Sequence, residues 1–158
     1  MASEQHSRGG SAAAEDTFVV SPDALDLASL ARQVAHDSAG AIVTFSGTTR
    51  DTFDGKRVLQ LEYEAYVPMA EAELRKIGRK ARSQWTLHRI GIWHRTGVVP
   101  VGETSVVIAV SSAHRQAALE AASFLIDALK ARVPIWKKEL LDTGEAHWKA
   151  NSEAAVHS

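Results

Sequence analysis

Residues 104–140 read TSVVIAVSSAHRQAALEAASFLIDALKARVPIWKKEL, and this stretch decides the predicted fold. It begins with Thr104–Val110, an apolar run of the length expected for a buried strand. The serine pair at 111–112 suits a helix cap, and apolar residues then recur at helical spacing. Pro134 ends the helix, because the residue before a proline avoids the helical region. Residues 135–140 follow as a short strand.

The same criteria predict further elements on both sides of this stretch. Ser21, Pro22 and Asp23 suit the cap and first turn of a helix that we expect to end near Gly40. Strands are predicted over 41–47, 59–65 and 88–96, a helix over 68–85, a loop with an Asp54-Gly55 turn over 48–57, a turn over 98–103, and irregular chain over 142–158. Strands joined by short connections favour antiparallel pairing with helices on one face of the sheet, so the predicted class is α+β.

The strand over 59–65 shows the clearest alternation. Its odd positions, Leu59, Leu61, Tyr63 and Ala65, are expected to face the core, and its polar even positions are expected to face solvent. The strand is therefore predicted to be half-buried.

The composition is that of an ordinary globular protein. The chain has 158 residues, of which 45% are hydrophobic and 23% charged, and its net charge is -1. This balance disfavours bulk binding of nucleic acid or acidic membranes. We expect one domain over 18–150, between a disordered tail over 1–17 and a short tail over 151–158. With no secretory signal and no apolar run of membrane length, we expect a cytosolic protein.

The absence of cysteine narrows the possible chemistry. Without cysteine there are no disulfides, no thiolate metal sites and no cysteine nucleophile. The histidines show no metal-ligand spacing, and no glycine-rich phosphate loop is present, so we expect no metal and no cofactor. Any sulfur or acyl chemistry must therefore use another nucleophile or a group supplied by a partner.

Ser111–Arg115 is a candidate anion site, because it lies where a strand leads into a helix. Free backbone N–H groups and the positive end of the helix dipole meet there, and His114 and Arg115 add donors. The alternative, which these residues alone favour, is a capped helix with two solvated polar side chains.

A second cluster of cations surrounds Pro134 and comprises Lys130, Arg132, Lys137 and Lys138. Lys137 and Glu139 share one face of the predicted strand, and Lys138 faces the other way. A lysine beside other cations can act as a nucleophile or acid. The alternative is a favourable helix-end charge for Lys130 and a solvated strand edge for the others.

Two further residues are weaker candidates. Arg50 follows a predicted strand, where an arginine can bind phosphate or carboxylate, although it is equally well explained as an exposed loop residue. His94 lies on an alternating strand and is expected to be packed rather than a ligand.

Taken together, the motifs resemble the large, catalytic subunit family of molybdopterin synthase, and its eukaryotic branch more than its bacterial one. The matching stretches are FSGTTRD (45–51), LEYEAYVPMAE (61–71), HRTGVVPVGE (94–103), VSSAHR (110–115) and LKARVPIWKKE (129–139). The resemblance extends from Gly40 to about Lys149.

The resemblance implies a sulfurtransferase of molybdenum cofactor biosynthesis. Such an enzyme adds two sulfurs, as a dithiolene, to precursor Z, a cyclic pyranopterin monophosphate. The sulfur arrives as a thiocarboxylate at the C-terminus of a small ubiquitin-like subunit. The family assembles as a dimer of large subunits with one small subunit at each end, a 2+2 heterotetramer. No nucleic acid or membrane partner is implied.

The resemblance also implies the site residues. Lys130 is the catalytic choice, with Lys137 in support, and Arg50 matches an arginine near the same pocket. Substrate-binding positions map onto His114, Arg115, Lys130, Lys137, Lys138 and Glu139. Bacterial relatives carry a basic residue near the C-terminus that reaches the pocket, and Lys149 is the candidate for that role here.

The resemblance places His114 and Lys130 at one substrate, and helix geometry then predicts that this site is shared between subunits. His114 and Lys130 bound one predicted helix, so they lie about 24 Å apart along its axis and about 160° apart around it. A two-fold dimer would let His114 and Arg115 of one chain complete the pocket that holds Lys130 of the other. A shorter helix or a fold-back is the alternative.

Two other functions also stay open: a non-catalytic module that binds a ubiquitin-like tail, and a phosphate-metabolite hydrolase.

Overall fold

The computed structural model describes residues 16–151. The elements are, in chain order, β1 (Thr17–Ser21), α1 (Leu27–Val34), β2 (Ala41–Thr48), β3 (Thr52–Phe53), β4 (Lys56–Ala65), α2 (Val67–Gln84), β5 (Arg89–Arg95), β6 (Gly97–Pro100), β7 (Thr104–Ser112), α3 (Arg115–Arg132), β8 (Ile135–Leu141) and β9 (Ala146–Ala150). Mostly antiparallel sheets with helices packed on them confirm the predicted α+β class.

The first sheet has four strands in the order β1–β5–β7–β2. β2 and β5 both pair antiparallel with β7, and β1 pairs parallel with β5. The central strand β7 is buried from Ser105 to Ser112. This burial explains its nearly continuous apolar sequence, because a strand covered on both faces needs apolar residues on both.

Helices cover both faces of this sheet. Val106, Ile108 and Val110 belong to the main core beneath α2 and α3. Val107 and Ala109, on the other face of β7, pack against α1. The expectation that all helices share one face is therefore wrong, because β7 presents apolar side chains on both of its sides.

The second sheet has five strands and carries much of the candidate site. Its order is β3–β4–β8–β9, with β6 pairing additionally with β4. β8 pairs antiparallel with β4 on one side and with β9 on the other. Because α3 leads directly into β8, the end of the helix and the start of this sheet lie side by side.

The first helix begins later than predicted. Ser21 is the last residue of β1, and α1 begins at Leu27. The cap is Asp26, whose Oδ1 accepts a hydrogen bond from the Ser29 backbone N–H at 3.3 Å. Because Ser21 is paired with β5, it cannot cap a helix, and Asp26 is the N-cap instead.

The third helix also begins later than predicted. Ser111 and Ser112 do not cap it; they are fully buried residues at the end of β7. His114 occupies the N-cap position without a side-chain capping hydrogen bond, and α3 begins at Arg115. The helix then continues without interruption to Arg132, so the alternative of a much shorter helix is wrong.

Three segments predicted to lack strands contain them. The loop expected over 48–57 includes β3 and the start of β4, which pair with each other. The turn expected over 98–103 includes part of β6, which pairs with β4. The irregular chain expected over 142–158 includes β9, which pairs with β8. In β6, Val99 is fully buried in the main core. By contrast, β9 is largely exposed, so its pairing comes from β8 rather than from its own apolar pattern.

The alternation of β4 holds over only part of its length. Tyr63 is buried as predicted, but Leu59 is 46% exposed. The pairing register with β8 shifts between Val58 and Gln60, and this irregularity turns Leu59 outward. Asp54 and Gly55 both have positive φ, as a two-residue hairpin turn requires, so the predicted turn is confirmed.

The expected start of the domain falls inside β1. Thr17 is part of that strand, and the Asp16 carboxylate accepts hydrogen bonds from the Arg82 guanidinium at 2.6 Å and the Ile90 N–H at 2.9 Å. Asn151, the first residue of the expected C-terminal tail, is buried and its N–H donates to the Ile135 carbonyl. The rest of the disordered N-terminal tail and of the short C-terminal tail falls on residues 1–15 and 152–158, outside the described residues.

Candidate active site

A cavity of about 920 Å³ opens between the two sheets and the end of α3. Its walls come from β2 and the loop after it, β3, β4, β7, the last turns of α3, and β8. Four of the predicted site residues line it: Arg50, Lys130, Lys137 and Glu139. Its volume is within the range of small-molecule sites.

Lys130 reaches this cavity from the last turn of α3. Val133 takes an extended conformation ahead of Pro134, so the helix stops shortly after the lysine. The Lys130 ammonium donates a hydrogen bond to Asn151 Oδ1 at 3.0 Å. The helix end therefore presents a positioned positive charge.

The strand β8 supplies two charged residues to the same cavity. Lys137 is 7% exposed and Glu139 is 9% exposed, and both line the cavity. Lys138 faces the other way, as predicted: its ammonium lies 3.1 Å from the Glu62 carboxylate and 4.8 Å from the centre of the Trp148 ring. The structure thus separates Lys138 from Lys137 and Glu139.

Lys149 reaches the edge of the cavity from β9. Its ammonium lies 3.0 Å from the Glu139 carboxylate and 4.1 Å from the centre of the Phe53 ring, and both of those residues line the cavity. The position is consistent with the role that the resemblance implied for a basic residue near the C-terminus.

Arg50 is placed by the loop that follows β2. The preceding residue, Thr49, is buried, and its N–H donates to the Glu103 carbonyl at 3.0 Å. Its own carbonyl accepts from the Gly102 N–H at 2.9 Å. These two bonds tie the loop to the turn before β7, so the exposed Arg50 is held at the mouth of the cavity.

His94 lies behind the cavity and is 1% exposed, which confirms that it is packed. Burial lowers the pKa of His94 from 6.5 to about 4; its hydrogen bond with the Arg95 carbonyl acts in the opposite direction, and the positive charge of Lys130 lowers it further. The imidazole ring of His94 packs edge-to-face with the ring of Tyr63, which lines the cavity, and the two ring centres are 5.1 Å apart. His94 is therefore neutral at pH 7.

His114 and Arg115 do not line the cavity. Both are exposed at the start of α3, whereas Lys130 is in its last turn. Since the helix is continuous, about 24 Å of axis separates His114 from Lys130. The structure of one chain thus leaves the two predicted clusters apart.

The arrangement suits an anionic substrate. Arg50, Lys130 and Lys137 place three cationic side chains around one concave space. Within residues 16–151, no cluster of three or more histidine, cysteine, aspartate or glutamate residues could hold a metal ion. In the same range no helix is long and apolar enough to cross a membrane.

Sequence reasoning missed several residues around this site. Tyr63 and Phe53 line the cavity, and Asn151 is the buried partner of Lys130. Tyr63 carries a signal, since it falls on the inward face of an alternating strand. Asn151 carries none, because the local pattern of its segment predicts irregular chain.

Comparison with known proteins gives consistent matches. The family model described as "MoaE protein" matches residues 20–132. The chain is 52% identical over 139 residues to the "Molybdopterin synthase catalytic subunit" of Bos taurus, covering 88% of this chain and 74% of that protein. It is 63% identical over 120 residues to the protein of the same name from Arabidopsis thaliana, covering 76% of this chain and 60% of that protein.

A solved structure shows the same fold. It is described as molybdopterin synthase from Staphylococcus aureus, and it superposes with a TM-score of 0.80 at 34% sequence identity. The match covers 84% of this chain and 96% of that chain.

Proposed function

We propose, from the premise that this chain belongs to the MoaE protein family, that the cavity at the end of α3 is where it transfers sulfur to a pterin phosphate. The chain is the catalytic subunit of a molybdopterin synthase and thus a sulfurtransferase. The observation that carries the proposal is the convergence of Lys130, Lys137 and Arg50 on one cavity, although Arg50 is far in sequence from the two lysines.

The substrate is precursor Z, and the sulfur donor is the thiocarboxylated C-terminus of a small ubiquitin-like subunit. Because this chain has no cysteine, it cannot carry the sulfur as a persulfide, and a partner has to supply it. Both the phosphate of the substrate and the thiocarboxylate of the carrier are anionic. The cavity lining offers them three cationic side chains beside two carboxylates, Asp127 and Glu139, and the Glu139 carboxylate is paired with Lys149.

Lys130 is the catalytic residue and Lys137 supports it. An ammonium at the end of α3 can stabilise negative charge that develops on the carrier's thioacyl group or on the pterin, and it can supply a proton. Glu139 orders the neighbouring cations, since its carboxylate is already paired with Lys149. Lys138, on the opposite face of β8, pairs with Glu62 and does not line this cavity.

His114 and Arg115 bind substrate in the partner subunit's cavity. The distance along α3 prevents them from reaching Lys130 of their own chain, and a two-fold dimer solves this by bringing the start of one α3 to the end of the other. The working assembly is then a dimer of this chain with one small subunit at each end, in the cytosol.

Reconstitution tests the function directly. The purified chain is mixed with thiocarboxylated small subunit and precursor Z, and molybdopterin is measured. We expect product with the thiocarboxylate and none with the same subunit ending in an ordinary carboxylate. Tight binding of the small subunit without any product would instead support a non-catalytic module that binds a ubiquitin-like tail.

A further inference from the structure

We infer that Asn151 is a positioning residue, whose side-chain oxygen fixes the Lys130 ammonium at the cavity wall. The inference rests on the proposed function of Lys130 and extends it to a residue outside the cavity lining. The two side chains come from different elements, Lys130 from the last turn of α3 and Asn151 from the position directly after β9.

The contact is short and buried. Asn151 Oδ1 accepts from the Lys130 ammonium at 3.0 Å, and Asn151 is 3% exposed. Among the described residues, no acceptor lies within hydrogen-bond distance of its Nδ2. The bond from Lys130 satisfies the buried oxygen of this amide, and it fixes the two side chains relative to each other.

The backbone of Asn151 is held independently of its side chain. Its N–H donates to the Ile135 carbonyl at 2.9 Å, directly beyond the last paired residues of β9 and β8. This second anchor sets Asn151 next to the point where α3 ends and β8 begins. Shortening the side chain therefore removes the contact with Lys130 and leaves the strand pairing in place.

A neutral acceptor suits this role better than a carboxylate. A carboxylate would orient the ammonium but would also cancel its charge, as in the pair formed by Lys149 and Glu139. The amide oxygen of Asn151 orients Lys130 and preserves its net positive charge. The buried His94, whose pKa the charge of Lys130 helps to lower, is neutral near pH 7 and adds no second positive charge.

Chemical modification of Lys130 tests the contact without any assay of activity. Wild type and Asn151→Ala are treated with an N-hydroxysuccinimide acetate at pH 7.5, and acetylation is followed lysine by lysine by mass spectrometry. The amide oxygen stabilises the charged ammonium, so its removal is expected to speed acetylation of Lys130 roughly tenfold. Lys76, which pairs with Glu73 on α2, is the internal reference and is expected not to change.

Steady-state kinetics of the reconstituted synthase test the consequence. Asn151→Ala is expected to lower kcat about tenfold with little change in KM for precursor Z, because orientation of the reacting group is lost and the substrate contacts remain. Asn151→Asp restores an acceptor oxygen, so it is expected to slow Lys130 acetylation again and to recover part of kcat. His147→Ala, at an exposed position in the strand that precedes Asn151, is the matched control.

These outcomes separate this inference from the proposed function. If Lys130 of the Asn151→Ala variant is acetylated at the wild-type rate and the variant keeps kcat within twofold of wild type, Asn151 does not position Lys130. If the wild-type chain makes no molybdopterin, the proposed function fails, and the acetylation rates still decide the contact. Should Asn151→Ala not fold, Asn151→Ser takes its place, because its shorter hydroxyl cannot span to Lys130.

Discussion

At the scale of the single residue, position rather than residue type separates the lysines of this chain. Lys137 and Lys138 are adjacent in sequence, but the alternation of β8 buries the first in the cavity wall and pairs the second with Glu62. Lys130 differs again, since it is held by a neutral amide at a helix end. The role of each lysine therefore depends on where its element places it and on which side chains it contacts.

Replacement of Lys130 is expected to abolish most turnover. Lys130→Ala removes the charge that stabilises the transition state, so we expect kcat to fall roughly 100-fold or more, with the fold and small-subunit binding retained. Lys130→Arg is also expected to fail, since a guanidinium stays protonated and cannot donate its proton. Molybdopterin formation measures the effect, and Lys76→Ala serves as the control. A near-wild-type rate for Lys130→Ala would remove Lys130 from the mechanism.

His94 is expected to make stability depend on pH. Its pKa is about 4 in the folded chain, against an ordinary value of 6.5 that applies to the unfolded chain. As the pH falls from about 6.5 to about 4, the unfolded state binds the proton first, so the free energy of unfolding decreases by up to about 3 kcal/mol. Above pH 6.5 the contribution of His94 is constant.

Urea unfolding at pH 7 and pH 4 measures this loss. We expect His94→Gln to lose less stability than wild type over the same interval, because its side chain does not titrate. His147→Gln, at an exposed position, is expected to behave like wild type. Identical losses in wild type and His94→Gln would contradict the assignment.

At the scale of the element, α3 connects two different parts of the site. Its N-terminal end presents His114 and Arg115 to solvent, and its C-terminal end delivers Lys130 to the cavity. The helix has a continuous apolar face against the sheets, which keeps it rigid over its whole length. The two ends are therefore expected to have separable functions, substrate binding at one and catalysis at the other.

Arg115 tests that separation. Arg115→Ala is expected to weaken binding of precursor Z about tenfold through loss of a charged contact with its phosphate. Binding of the small subunit is expected to be unchanged. Calorimetric titration of each ligand measures both affinities, with the exposed Arg79→Ala of α2 as the matched control. Equal losses for both ligands would mean that Arg115 acts through the fold and not through the phosphate.

At the scale of the whole molecule, the cavity exists because two sheets and one helix end converge. The first sheet contributes β2 and β7, the second contributes β3, β4 and β8, and α3 leads from one sheet to the other. One chain still places only part of the predicted residue set around this space. A second copy of the chain is the expected source of the remainder.

Complementation between two inactive variants tests the shared site. A His114→Ala/Arg115→Ala chain is mixed with a Lys130→Ala chain under conditions of subunit exchange. In a two-fold dimer each mixed pair regains one intact site, so random exchange is expected to restore about a quarter of wild-type activity. Exchange is monitored by native mass spectrometry. Confirmed exchange without any return of activity would show that the site is not shared.

Patterns in the residues are sufficient to predict the α+β class, the strands β2, β4, β5, β7 and β8, the opposite faces of Lys137 and Lys138, and the family. These features follow from local periodicity and from motifs of consecutive residues, both of which are readable along the chain. The helix starts predicted near Ser21 and Ser111 are wrong, because strand pairing overrides good capping residues. The irregularity at Leu59 also cannot be predicted from the sequence pattern, because it depends on the pairing register between β4 and β8.

Long-range packing decides the rest. The placement of α1 on the far face of the first sheet, the pairing of β9, and the burial of Asn151 beside Lys130 all depend on contacts between segments far apart in sequence. No local pattern encodes such contacts, because each partner alone is an ordinary polar or apolar residue. The cavity is therefore a property of the folded chain: β8 lies between β4 and β9, and this position places Lys137 in the same cavity lining as Lys130.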